Sequence, residues 1–103
     1  MKSKLSFKND KFKKNRGGRS RWLELYCENC KEKLVVYQKD GPGILKRLYL
    51  DRIVSPADLK ARKKLECKKC KTVLGIYTIF KKENRPAYRL FVGAIEKKIL
   101  KNN

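Results

Sequence analysis

The chain has 103 residues, 38% of them charged, and a formal net charge of +19 from 29 Lys and Arg against 10 Asp and Glu. That length allows one core and not two, and so charged a chain has little apolar material, which makes an added cross-link an expectation. No stretch reaches the ~20 apolar residues of a bilayer span and no apolar signal core follows the basic N-terminus, so the expectation is a soluble, cytoplasmic protein. The charge itself attracts polyanions while repelling its own kind, which makes nucleic acid the expected partner. An acidic membrane would call for a basic amphipathic helix or a lipid anchor, and neither is evident.

Residues 1–21 (MKSKLSFKNDKFKKNRGGRSR) carry nine basic residues and one acidic. After Met1 their only large apolar residues are Leu5, Phe7 and Phe12, too few to fold alone. The segment 1–20 therefore reads as a basic, disordered and flexible tail, set off by Gly17-Gly18 from a domain spanning 21–103. Lys8, Lys11, Lys13, Lys14, Arg16, Arg19 and Arg21 interleave with Phe7 and Phe12, as in arms that fold against RNA, and are candidate RNA contacts.

From Trp22 onward the chain repeats itself. Residues 24–37 read ELYCENCKEKLVVY and residues 64–77 read KLECKKCKTVLGIY, with Leu25/Leu65, Cys27/Cys67, Cys30/Cys70, Lys31/Lys71, Leu34/Leu74 and Tyr37/Tyr77 identical at an offset of 40. At an offset of 42, KRLYLDRI at 46–53 lies over YRLFVGAI at 88–95. Two repeats are too few for a solenoid, so they read as half-units of one domain, about 22–54 and 62–100. Each has a strand into a Cys pair, a strand out (34–39 and 73–80), a turn and a returning strand (44–53 and 87–95), rich in Val, Ile and Tyr. The turns, Asp40-Gly41-Pro42-Gly43 and Glu83-Asn84-Arg85-Pro86, hold residues that tolerate tight backbone. The expected fold is thus mainly β, a small metal-bound domain of two antiparallel hairpin units. Between the halves, Ser55-Pro56-Ala57-Asp58 predicts one helical turn, with Ser55 as cap and Pro56 at the first helical position. Residues 95–100 fit either strand or helix, since Ile95, Ile99 and Leu100 also have helical spacing.

The Cys pairs carry the chemistry. Two Cys separated by two residues present both sulfurs to one ion, and in a reducing compartment four such thiols read as metal ligands before disulfides. The 36 residues between Cys30 and Cys67 exceed the about 15 to 20 of compact zinc ribbons, but a hairpin and a crossover fill that interval. One structural Zn2+ on Cys27, Cys30, Cys67 and Cys70 is the expectation, and four thiolates leave no position for activated water. Lys31, Lys68, Lys69 and Lys71 stand beside the thiolates, where they can offset the negative charge or contact phosphate.

Nothing suggests an enzyme. Ser3, Ser6, Ser20 and Ser55 have no His to activate them, no Gly-rich phosphate loop follows a strand, and Glu24, Glu28 and Glu32 read as salt-bridge partners. Trp22 stands alone, which argues against an aromatic cage for a small-molecule substrate. A second basic run, 60–71 (KARKKLECKKCK), adds Lys63, Lys64, Lys68, Lys69 and Lys71 as candidate RNA contacts. A third group, Lys46, Arg47 and Arg52, reads as a solvated sheet face. Trp22, Tyr26, Tyr37 and Tyr77 are expected in the core beside the metal.

The run LECKKCKTVLGIY, then a polar turn and AYRLFVGAI, resembles the C-terminal half of the β-tent zinc domains of yippee-type proteins. Cys67, Cys70, Leu74, Gly75 and Tyr77 match the family's pattern, and the likeness covers about residues 65–95. The first half departs from it, with Val35 in place of the expected Gly. The resemblance implies zinc joining two antiparallel sheets through the four Cys, and no particular substrate. With the charge, the leading expectation is a zinc-stabilised RNA-binding protein, ribosomal or ribosome-associated, with ribosomal RNA and neighbouring ribosomal proteins as partners. The rivals are a β-tent adaptor recognising a protein or peptide, and a DNA-binding regulator, which would want a recognition helix that the sequence lacks.

Overall fold

The structure is a computed structural model that describes residues 7–56, 58–59 and 62–100. Its elements in chain order are α1 (Lys11–Asn15), β1 (Ser20–Cys27), β2 (Lys33–Asp40), β3 (Arg47–Tyr49), a 3-10 turn (Leu50–Arg52), β4 (Ile53–Ser55), β5 (Lys64–Glu66), β6 (Val73–Phe80), β7 (Arg85–Leu90) and β8 (Ile95–Ile99). The strands form two four-stranded antiparallel sheets, ordered β4-β2-β1-β8 and β3-β7-β6-β5.

The duplication read from the sequence extends to irregularities in the backbone. The β1–β2 ladder pairs Leu25 with Val35, then slips so that Tyr26 faces Lys33. The β5–β6 ladder pairs Leu65 with Gly75, then slips so that Glu66 faces Val73. Each position of one bulge is 40 residues from its counterpart in the other. The extra residue is Leu34 in β2 and Leu74 in β6, and because a bulge bends its strand and increases local twist, both strands that leave a Cys pair do so in the same way. Gly75 is needed for a separate reason: a Cβ there would stand 2.7 Å from the carbonyl oxygen of Arg89 in β7. Val35 meets no such strand, because β4 ends with Ser55 opposite Val36.

Between the sheets, alternation points Leu23, Leu25, Cys27, Val35 and Tyr37 inward, where they meet Leu48, Ile53, Leu59, Leu65, Cys67, Leu74 and Tyr88. Each fully buried Leu contributes about 1.5 to 3 kcal/mol relative to exposure. The Tyr88 hydroxyl also lies between the carbonyls of Leu59 and Arg62, which share its one proton, tying the connection between the halves to the second sheet.

The halves are less separate than two hairpins. The second is a hairpin, with β6 and β7 paired from Gly75–Leu90 to Phe80–Arg85. The first is not: β3 leaves β2 and pairs with β7, and β4 returns to β2. The place beside Tyr37 is taken by Ile53, so Leu48 finds its burial on the other sheet. Tyr37 bridges the gap, its hydroxyl accepting the Tyr49 N–H at 2.8 Å and facing the Arg47 carbonyl at 3.4 Å. In exchange β8, from the second half, lies along β1 from Cys27–Ile95 to Leu23–Ile99. That settles residues 95–99 as strand, since five residues gain more from an open ladder than from an isolated helix. Ser55 is the last residue of β4, and the expected helical turn follows as a 3-10 turn at Asp58 and Leu59, in which the Leu59 N–H reaches the Pro56 carbonyl. Ala57, Lys60 and Ala61 lie outside the described residues.

Residues 1–6 of the expected tail also lie outside the described residues. From Phe7 the segment packs on the domain instead of trailing from it. Phe7 stacks on Trp22 with centroids 4.4 Å apart. The Lys8 N–H donates to Gln38 Oε1 at 2.8 Å, and Gln38 Nε2 donates back to the Lys8 carbonyl at 3.1 Å. Asp10 caps α1 by accepting the N–H groups of Phe12 and Lys13, and Gly17 and Gly18 end it at positive φ. The segment cannot fold alone because its partners, Trp22, Gln38 and Arg52, lie outside it.

Two further expectations are corrected. Of the aromatics assigned to the core, Tyr37 is there, but Trp22 is buried on the opposite face of β1 beneath Phe7. Tyr26 shares that outer face, and Tyr77 is 40% exposed, while Tyr88 takes the second core position. Arg52, expected on a solvated face, is buried to 2% exposure.

Candidate metal centre and charged surroundings

β1 and β5 each deliver one Cys at a strand end, and the following turn delivers its partner. Cys27 N–H donates to the Glu32 carbonyl and Lys31 N–H to the Cys27 carbonyl; Cys67 N–H to the Thr72 carbonyl and Lys71 N–H to the Cys67 carbonyl repeat both bonds. Lys31 (φ 66) and Lys71 (φ 67) both occupy the left-handed region, a conformation costly to a residue with a Cβ and kept where surrounding bonds impose it.

The four sulfurs all lie within 4.8 Å of one another. Cys27 Sγ is 3.7 Å from Cys70 Sγ, and Cys30 Sγ is 3.5 Å from Cys67 Sγ. These distances exclude disulfides, whose sulfurs are about 2.05 Å apart. They match tetrahedral coordination, for which bonds of about 2.3 Å set the sulfurs ~3.8 Å apart. Cys27 and Cys67 are buried, and Cys30 and Cys70 form the rim. The cluster does not hold four thiolates comfortably by itself. At Cys30 the Glu32 backbone N–H favours the thiolate, but desolvation and the other three sulfurs outweigh it and push the thiol up to about 12. Cys70 is drawn down to about 5, chiefly by the Thr72 hydroxyl 3.2 Å away and the Asn29 side chain. A cation among the sulfurs removes that conflict, and the donor set fits a metal ion.

The surrounding lysines divide. Lys31 is engaged by Glu28 at 2.5 Å and Glu96 at 3.6 Å. Lys68, Lys69 and Lys71 are exposed. Lys63 and Lys64 precede them on the same exposed edge, with Lys64 Nζ 3.9 Å from Glu66. In the N-terminal segment Lys8, Lys11, Lys14, Arg19 and Arg21 are exposed. Lys11 lies over the Phe12 ring and Lys13 over the Phe7 ring. Arg16 is different: it pairs with Glu83 at 2.9 Å and donates to the Tyr49 hydroxyl and the Phe12 carbonyl. Its role is to hold the segment down. Among the described residues no hydrogen bond or ion pair joins the N-terminal candidates to those at 63–71.

Sequence reasoning missed an arginine-centred network. Arg52 donates to Asp40 at 2.8 Å and to both oxygens of Asp10 at 2.6 and 3.0 Å. Arg85, equally buried, donates to both oxygens of Asp51 and to Glu83, with its guanidinium 3.8 Å from the Tyr49 ring and 4.1 Å from the Phe12 ring. The Arg52 hydrogen bonds, opposed by partial burial and helped by the α1 N–H groups, draw Asp10 down to about 2. A signal did exist: Asp10 before KFKKN, with Gly17-Gly18 beyond, is a helix cap and stop.

No family model matches the chain, and no curated protein or solved structure matches it. Among the described residues no helix is long and apolar enough to cross a membrane.

Proposed function

We propose that this is a zinc-stabilised RNA-binding protein, ribosomal or ribosome-associated, and not an enzyme. Zinc is the metal favoured by four thiolates at tetrahedral spacing, and a closed sulfur sphere has a structural role. The observation that carries the RNA reading is the placement of the acids. Asp10, Asp40, Asp51 and Glu83 are spent on Arg16, Arg52 and Arg85. Removing those four acids and three arginines from the chain's 10 and 29 leaves six carboxylates to face 26 cations. Such an excess costs self-repulsion and is relieved by a polyanion.

Sedimentation of the tagged full-length protein from native lysate, with and without RNase, tests this. Co-migration with ribosomal particles that RNase abolishes, and affinity that falls steeply with salt, are expected. A salt-insensitive protein complex that survives nuclease would refute the RNA reading and favour the β-tent adaptor.

A further inference from the structure

A groove of about 530 Å³ runs between the segment 44–47, which enters β3, and the segment 89–97, which joins β7 to β8. Lys46, Arg47, Arg89 and Lys97 line it, and no carboxylate does. None of the four makes an ion pair among the described residues. Arg47 and Arg89 are direct partners in the β3–β7 ladder, an arrangement of like charges that destabilises a sheet. Arg47 tolerates it by resting on the Phe80 ring, 4.2 Å from its centroid. Arg89 is exposed and has no such support. The crowding continues past the groove, since Lys39 is held below its usual range by desolvation and then by Lys97 and Arg21.

The groove also presents apolar surface that the core does not use. Ile44 is 80% exposed and Phe91 46%. The Phe91 backbone is fixed, its N–H donating to the Leu74 carbonyl and its carbonyl accepting the Ala94 N–H, and Phe91 lines the groove together with the four cations. Cations around an exposed aromatic are the chemistry of single-stranded nucleic acid, whose bases stack while its phosphates pair. A double helix hides its base faces and would leave Phe91 and Ile44 unused.

We propose that this groove binds a single-stranded segment of RNA, with phosphates on Lys46, Arg89 and Lys97 and an unpaired base on Phe91. It rests on the RNA-binding reading above and adds a site whose lining residues belong to neither the N-terminal segment nor the Cys turns.

The test titrates the full-length zinc-loaded protein into a fluorescein-labelled oligouridylate across a salt series. Lys46→Gln/Arg89→Gln/Lys97→Gln is compared with Lys81→Gln/Lys82→Gln/Lys98→Gln, which removes the same charge elsewhere. The groove variant is expected to bind at least ~10-fold more weakly than this control and to lose about 2 from the salt slope, near 0.7 for each of three phosphates. Phe91→Leu is expected to weaken binding ~5- to 100-fold with the slope unchanged. Equal affinity of the two triple variants, with wild type binding well, would overturn the groove and leave the RNA reading standing. Failure of wild type to bind at low salt would overturn both. Should the groove variant melt early, photocrosslinking of wild type to iodouridine-substituted RNA decides: adducts on the Phe91 peptide are expected, and adducts confined to other peptides would refute the site.

Discussion

The carboxylate of Asp10 caps α1 through Oδ1 and, with both of its oxygens, accepts from the buried guanidinium of Arg52. One side chain thus joins the N-terminal segment to the turn between β3 and β4. Asp40, at the end of β2, completes the clamp from the other side and is itself held by Ser20 and Gln38.

Replacing Arg52 by Ala should therefore destabilise the protein by about 3 to 5 kcal/mol, because Asp40 is left buried without its counter-ion. Urea unfolding of the metal-loaded protein measures this. A loss under about 0.5 kcal/mol, the size of an ordinary surface substitution, would mean that Arg52 is solvated.

Asp10→Asn should lower the melting temperature, and the pH dependence of that difference has a defined sign. A carboxyl held at about 2 in the folded state, against about 3.9 when unfolded, stabilises fully above the unfolded value and loses its contribution as pH falls towards the folded one. The gap between wild type and variant should be constant from about pH 5 to 7. A gap that already narrows near pH 6 would refute the pairing.

Trp22 is the only tryptophan and is covered by Phe7, so its fluorescence reports whether the N-terminal segment is docked. Phe7→Ala should shift its emission to the red at temperatures where circular dichroism shows the sheets intact. Unchanged emission would show that the ring does not shield it.

Chelation should remove the metal ion and collapse the thermal transition, and Cys67→Ser should do the same, because metal binding supplies about 10 kcal/mol or more of folding free energy in small thiolate sites. Metal analysis identifies the ion. A metal-free protein with an unchanged melting temperature would refute a structural metal.

Gly75→Ala should cost about 1 to 3 kcal/mol, the range for overpacking, since the new methyl would press on the backbone of Arg89. Chemical denaturation gives the value. A neutral result would mean that β7 does not approach β6 so closely.

What the sequence revealed depended on local pattern. The Cys pairs, the offset of 40 and the apolar alternation of β1 are contained within short windows, and they led to a mainly β domain of two antiparallel half-units and to the sulfur cluster. Arg52 had the opposite character: its burial depends on Asp10, 42 residues away, and Asp40, 12 residues away, and nothing in KRLYLDRI distinguishes it from its solvated neighbours. The crossing of β3 to β7 was hidden for a similar reason. Its alternation suits either sheet, and the choice was made by competition between Leu48 and Ile53 for the place beside Tyr37.

The reciprocal bonding of the sulfurs has a consequence for how such a chain could arise. Cys27 approaches Cys70 as Cys67 approaches Cys30, and Arg47 meets Arg89, its own counterpart in the repeat. Both pairings are what an isologous C2 contact produces between identical subunits. A homodimer of chains roughly half this length could therefore close the same centre, each subunit bringing two ligands, and joining the subunits end to end would make its assembly independent of concentration. Once fused, the halves would be free to diverge, as Val35 has from Gly75.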